Sequence, residues 1–296
     1  PIINNLKLNY PSSSITLLCS RYNKSIAEYY QKDVKIIVFK KPLIFFLIKN
    51  IKFIIFNKFD FIFQLDGKNH SYFSSILIRA NKKVCIRFIK SKKIFGRLIY
   101  IKRPNFFINY LFDEKEISYE NYNIHNNINY HYLSLYLNLL KKLNIKILSK
   151  NHYLPFNESK KISKFKKNYC LIHIDQRWEQ FPPSVTFNLK NKLITLSKST
   201  NIVISSNIGG NKVFESINDE FSNKPNIEII RDPKLHDTIS LVYNSNSCIS
   251  SHSGLIVHTA AAFNKKIIDI VSKDIFNELD RWIPYNVNYK RIDINN

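Results

Sequence analysis

The stretch Cys248–Val271, CISSHSGLIVHTAAAFNKKIIDIV, sets Ser250, Ser251, His252, Ser253 and Gly254 between a short apolar run and a helix-forming one. The first backbone N–H groups of a helix lack internal partners, and with the helix dipole they make a place for an anion, most often a phosphate. Ser251 and Ser253 are expected to cap the helix and donate hydroxyls, and Gly254 to let a ligand come close to the backbone. Leu255 follows in the first turn, and His258 is expected to point back to the same pocket. Ala260, Ala261 and Ala262 allow the helix to lie close on a sheet. The same residues also read as a plain serine-capped helix with a core histidine.

A second group stands in His173-Ile-Asp175-Gln-Arg177-Trp178. The planar fork of Arg177 suits a bidentate grip on a phosphate; a surface ion pair with Asp175 or Glu179 is the plainer reading. Trp178 suits either a cover over a base or sugar, or packing. Asp66-Gly67-Lys68-Asn69-His70 follows an apolar run and suits the hydroxyls or charges of a ligand, or a turn with a helix cap. Gly209-Gly210 and Asp232-Pro233 read as turns, and Asp237 suits the start of a helix dipole.

These residues need elements to position them. Apolar runs of four to six residues alternate with helical patterns along the chain. In the second half the strands are expected at 169–174, 202–205, 227–230, 247–250 and 266–271. Helices are expected at 184–199, 211–221, 235–244 and 254–263. In the first half, strands are expected at 15–19, 34–39, 61–65 and 84–88, and helices at 2–10, 24–31, 43–55, 71–80 and 130–143. The region 96–129 reads as loop with short pieces. Such alternation means βαβ units and a parallel sheet, with ligands beyond the carboxyl ends of the strands. Two blocks are expected, 1–150 and 165–296, with a polar, Lys-rich boundary between them.

The 296-residue chain is 45% hydrophobic, with 5 glycines and no methionine, and it opens within a helical pattern, so it reads as a fragment. No secretory signal is visible. The most apolar region, 42–65, is broken by Lys49, Lys52 and Lys58 before it reaches the length of a membrane span. Cys19, Cys85, Cys170 and Cys248 lie far apart in apolar runs, as buried free thiols would. Charge is uneven: residues 1–150 hold 26 Lys+Arg against 8 Asp+Glu, net +18, and residues 151–296 hold 19 against 14, net +5. The first half therefore suits an anionic partner, nucleic acid or an anionic lipid surface. No nucleic-acid module accompanies the charge.

The run LHDTISLVYNSNSCISSHSGLIVHTAAAF resembles the second-domain signature of the heptosyltransferases, glycosyltransferase family 9. There a patterned helix leads into a short strand, an Asp-Ser-Gly or Asp-Thr-Gly turn and a helix with a histidine and alanines. PIINNLKLNYPSSSITLLCSRYN and FDFIFQLDGKNHSYFSSILIRANKKVCIRF are similar to first-domain segments of that family, and Arg281-Trp282-Ile283-Pro284 to its Trp-x-Pro. The resemblance covers most of the chain in order. It implies the GT-B fold, an α/β fold of two Rossmann-like domains facing across a cleft, the first on the acceptor side and the second binding the donor. It implies sugar transfer from a nucleotide-sugar donor to a lipopolysaccharide core or related anionic lipid-linked glycan. No metal or cofactor is implied, and the place is the cytoplasmic side of the inner membrane. Donor binding then falls to His173, Asp175, Arg177, Ser251, His252, Ser253, Gly254, Leu255 and His258, and the acceptor side to Asp66, Gly67, Lys68, Asn69 and His70. The chain departs from the family pattern in having His252 where an acidic residue stands, its later histidine one place on, and HIDQRWEQFPPS in place of a Gly-containing loop. The family's opening strand, Gly-Asp turn and catalytic carboxylate would lie upstream of Pro1, and its final helix beyond Asn296. A non-catalytic homologue that binds a nucleotide or glycan is the alternative, and a basic nucleic-acid-binding protein a further one.

Overall fold

The computed structural model describes residues 1–39, 43–65, 69–87, 90–94, 97–101, 110–113, 132–158, 162–207, 211–272, 282–284 and 287–294. The chain divides into two units, Ile2–Leu148 and Ser149–Asn296.

In the first unit the elements are α1 (Ile2–Asn9), β1 (Ile15–Ser20), α2 (Lys24–Ala27), β2 (Val34–Phe39), α3 (Leu43–Lys49), α4 (Ile51–Phe56), β3 (Lys58–Gln64), α5 (Asn69–Leu77), β4 (Arg79–Arg87), β5 (Lys90–Ile94), β6 (Arg97–Ile101), β7 (Tyr110–Asp113) and α6 (Tyr132–Lys142). Strands β1 and β2 pair in parallel, β3, β4 and β7 form a second parallel sheet, and β5 and β6 an antiparallel hairpin. Leu135 and Leu139 of α6 pack with Val84, Phe61 and Phe63 over the three-stranded sheet. Helix α1 is tied down by a fully buried Asn5, whose side-chain oxygen accepts from the Leu148 N–H at 2.7 Å. The strand at Arg79 begins where the helical pattern was expected to run on to Ala80. The hairpin falls partly in the stretch expected as loop.

The second unit holds β8 (Tyr169–His173), α7 (Pro183–Leu196), β9 (Ile202–Ser206), α8 (Lys212–Phe221), β10 (Ile227–Arg231), α9 (Leu235–Asn244), β11 (Ser245–Ser250), α10 (Gly254–Ala262), β12 (Lys266–Ser272) and β13 (Tyr289–Ile294). Its six strands are all parallel, in the order β10-β9-β8-β11-β12-β13. That is a doubly wound sheet whose direction of winding reverses at β8. One face, with Ile172, Ile204 and Ile227, packs against Leu193 of α7 and Phe214, Ile217 and Phe221 of α8. The other, with Leu171, Val203, Cys248 and Ile267, packs against Leu241 and Val242 of α9 and Ile256, Val257, Ala260 and Ala261 of α10. All four cysteines are free and buried, and burial pushes the Cys248 thiol up to about 12.

Two helix ends in this glycine-poor chain are closed by a left-handed asparagine. After α10, Asn264 (φ 53) donates to Ala261 and Lys265 to the Ala260 carbonyl. After α6, Asn144 (φ 59) donates to Lys141 and Ile145 to the Leu140 carbonyl. Both are left-handed C-terminal closures that glycine more often supplies.

Ala260 is fully buried between α10 and the sheet. Ala260→Leu is expected to overpack this layer and lower stability by about 1–3 kcal/mol. The urea midpoint should fall with the slope of unfolding unchanged.

Candidate donor site at the carboxyl ends of the central strands

In-register pairing sets five residues in one row across the carboxyl ends of the second sheet: Ser205, His173, Ser250, Asp269 and Arg291. The residues two places earlier, Val203, Leu171, Cys248, Ile267 and Tyr289, make a parallel row on the same face, apolar but for the Tyr289 hydroxyl. Side chains along a strand alternate between faces, so the polar row continues the face that carries α9 and α10. It lies where the winding of the sheet reverses, the place at which such sheets bind ligands.

Asp269 is fully buried. Its carboxylate accepts from the His252 backbone N–H at 2.5 Å, from His252 Nδ1 at 2.7 Å and from the Tyr289 hydroxyl at 2.8 Å. These contacts hold His252 at φ 47, a left-handed conformation uncommon outside glycine. A carboxylate on Nδ1 fixes that nitrogen as the N–H donor and leaves Nε2 as the nitrogen that faces a ligand.

The turn ends in α10, whose first internal bond runs from the Val257 N–H to the Ser253 carbonyl at 2.8 Å. Contrary to expectation, the Ser253 side chain makes no cap bond. Ser251 does not cap either: its hydroxyl, like that of Ser250, is buried without a partner. The N–H groups of the first turn are thus left to another acceptor. A Cβ added at Gly254 would meet nothing within 4 Å. Gly254 is helical, so neither internal packing nor an unusual backbone angle requires glycine here. The missing side chain leaves open space directly at the helix start. Leu255 is partly buried beside it.

On the neighbouring strand end, His173 is fully buried, with Nδ1 3.0 Å from the Ser205 hydroxyl and Nε2 without a partner. Burial first, and the Arg177 charge second, pull its pKa down from 6.5 to about 4, so it is neutral at pH 7. Asp175 accepts from the Arg177 N–H at 3.0 Å, and its backbone carbonyl accepts from the Asn211 side chain at 2.6 Å. Burial pushes the Asp175 carboxyl up, against the pull of Arg177. The half-exposed Arg177 side chain has Nε 3.8 Å from Asp175 and donates from a terminal nitrogen to the Ser251 carbonyl at 3.4 Å. Arg177 thereby links the 173–178 loop to the Ser250–Gly254 turn. Glu179 instead accepts from the Lys212 N–H.

Two candidates find other surroundings. Trp178 is buried and donates to the His173 carbonyl at 2.9 Å, so it packs beneath the loop rather than covering a ligand. The ring of His258 lies 5.5 Å from that of His152. Asp66, Gly67 and Lys68, Gly209-Gly210 and Arg281 lie outside the described residues, and Asn69 and His70 open α5. Asp232 sits in a turn at φ 44, and Asp237 in the first turn of α9. Asp269 and Tyr289 were missed. The signal was there for Asp269, a lone acid within the apolar run KIIDIVS, since a buried acid needs partners.

No family model and no curated protein matches the chain. Solved structures do. The glycosyl transferase family 9 structure from Veillonella parvula aligns with a TM-score of 0.68 over 99% of this chain and 81% of that one, at 14% identity. The E. coli heptosyltransferase WaaC with ADP aligns with a TM-score of 0.68 over 98% and 87%, at 12% identity. WaaC with ADP-2-deoxy-2-fluoro heptose gives 0.65 over 98% and 86%, at 12%. The chain therefore has the α/β GT-B fold. More particularly, it has the form of that fold found in glycosyltransferase family 9 and heptosyltransferase structures, as the sequence resemblance implied.

Because the His173 pKa is depressed, its contribution to stability is whole above pH 6.5 and is lost as the pH falls towards about 4. The linked loss is up to about 3 kcal/mol. Unfolding free energies measured across that window should fall in the native chain and stay flatter in His173→Gln.

Proposed function

We propose that the chain is a glycosyltransferase that moves a sugar from a nucleoside-diphosphate sugar to an anionic, lipid-linked glycan of the lipopolysaccharide-core kind. The observation that carries this is the open space at Gly254, at the start of α10, flanked by Arg177 and by Asp269-held His252. It is built for a compact anion. The ADP and ADP-sugar analogue held by the similar WaaC structures support a nucleotide-sugar donor.

In the transfer, the acceptor hydroxyl oxygen bonds to the anomeric carbon as the bond from that carbon to the donor phosphate breaks. The electron pair leaves with the diphosphate. Its growing charge is met by the first N–H groups of α10 and by the Arg177 guanidinium, both set in place before reaction. The His252 ring, held through Nδ1 by the Asp269 carboxylate behind it, stands beside the same phosphate. The acceptor proton passes to a carboxylate base. The +18 charge of residues 1–150, against +5 for the rest, supports an acceptor side turned to an anionic glycan at the inner membrane surface.

Calorimetry with ADP, UDP, GDP and CMP on the full chain tests this. One diphosphate nucleotide should bind. Gly254→Ala should fold at least as stably as the native chain, since its methyl meets open space, yet bind about tenfold or more weakly. Arg177→Ala should lose about ten- to a hundredfold. His252→Asn keeps a donor to Asp269 and suits a positive φ, but lacks the distal nitrogen, so it should fold and bind weakly. Equal affinity in Gly254→Ala, or no nucleotide bound by the folded chain, would overturn the reading.

A further inference from the structure

Helices α3 and α4 carry large apolar residues on both their inner and outer faces. Phe46, Leu47, Asn50, Phe53 and Ile54, at spacings of one, three and four, face inward. Phe46 packs on Phe39 with ring centroids 5.0 Å apart, and Phe53 on Phe59 at 5.6 Å. The opposite side is as apolar as the first. Ile44, Phe45, Ile48, Ile51, Ile55 and Phe56 are all exposed, Phe45 at 65% and Phe56 at 79%. Only Lys49 and Lys52 interrupt this outer face. A surface helix ordinarily turns polar residues outward, and a contiguous exposed apolar patch marks an interaction surface.

The charge pattern selects the occupant. Between Asp33 and Asp60 the chain carries six lysines, at 35, 40, 41, 49, 52 and 58, and no acidic residue. A second copy seated on this patch would set those lysines against their own kind. An acidic protein would meet a surface whose centre is aromatic and aliphatic rather than charged. An anionic bilayer fits both properties. Apolar side chains enter the boundary between headgroups and acyl chains, while lysines reach up to lipid phosphates. No helix among the described residues is long and apolar enough to cross a membrane, so the contact lies along the surface.

We propose that α3 and α4 form an interfacial anchor that lays the first unit on an anionic lipid bilayer. The proposal deepens the lipid-linked acceptor reading above, but rests on this patch and not on the donor site.

The test is co-sedimentation of the full chain with vesicles of phosphatidylglycerol and phosphatidylethanolamine, and with vesicles of phosphatidylcholine alone. Binding is expected to the first at 0.1 M salt, with much weaker binding to the second. Lys49→Gln with Lys52→Gln should weaken it about thirtyfold, at about tenfold in affinity per 1.4 kcal/mol and about 1 kcal/mol per lysine. Phe45→Ser with Phe56→Ser should weaken it at least tenfold. All four residues are exposed, so circular dichroism and the urea midpoint should not change. Equal binding to both vesicle types, no binding to either, or indifference to the phenylalanine pair would overturn the proposal. Loss of a dimer in Phe45→Ser with Phe56→Ser, seen by analytical ultracentrifugation, would assign the patch to a second copy instead. ADP calorimetry on the same variants keeps the two readings apart. Vesicle binding without nucleotide binding defeats the transferase reading alone, and the reverse defeats the anchor alone.

Discussion

A carboxylate with no access to water must be satisfied from within, and Asp269 is satisfied three times over. Leaving such a group unpaired costs several kcal/mol, so the partners it takes are not optional. They come from the turn after β11, through the His252 backbone and ring, and from β13, through the Tyr289 hydroxyl. One buried charge therefore joins β12 to the segments on either side of it. It also holds His252 in a backbone conformation that fixes where the next residues go, and the next residues are the start of α10. The open space at Gly254, the unused N–H groups and the reach of Arg177 to Ser251 all follow from where that turn is held.

The second unit was largely legible in the sequence because its central strands β8 and β9 are buried along their whole length and read as short apolar runs. Periodicity failed where burial was incomplete. β13, YKRIDI, is an edge strand whose alternating polar residues carry no apolar run to find. β4 opens with Arg79-Ala-Asn-Lys-Lys, polar enough to pass for the end of a helix. The Ser250–Gly254 turn was legible as the start of a helix, although by residue type alone it also fitted a plain serine-capped helix. Its internal wiring was not. Nothing in local sequence tells that Asp269, seventeen residues after His252, is its partner, or that Ser251 and Ser253 leave the helix start uncapped. Those facts belong to sheet register, and register is settled by the whole unit.

The two units use related parts differently. In the second, the earliest strand, β8, stands in the middle, with β9 and β10 on one side and β11, β12 and β13 on the other. In the first, β1 and β2 form one parallel pair and β3, β4 and β7 a parallel triplet. Among the described residues no strand joins pair to triplet as β8 joins its neighbours. β1, paired only with β2 among the described residues, is half-buried along most of its length.

The asparagines at left-handed positions carry a different consequence. Asn144, Asn168 and Asn264 each hold a conformation that glycine adopts without strain and that asparagine only tolerates. A chain with 5 glycines in 296 residues has let a second-best residue close its helices and turns. The fold survives because the penalty at each position is small and the positions are far apart. It also means that the molecule stands below the stability its own backbone could support. The shortfall is spread over ordinary turns, away from the Ser250–Gly254 turn and the row of polar strand ends, where an engineer could recover it.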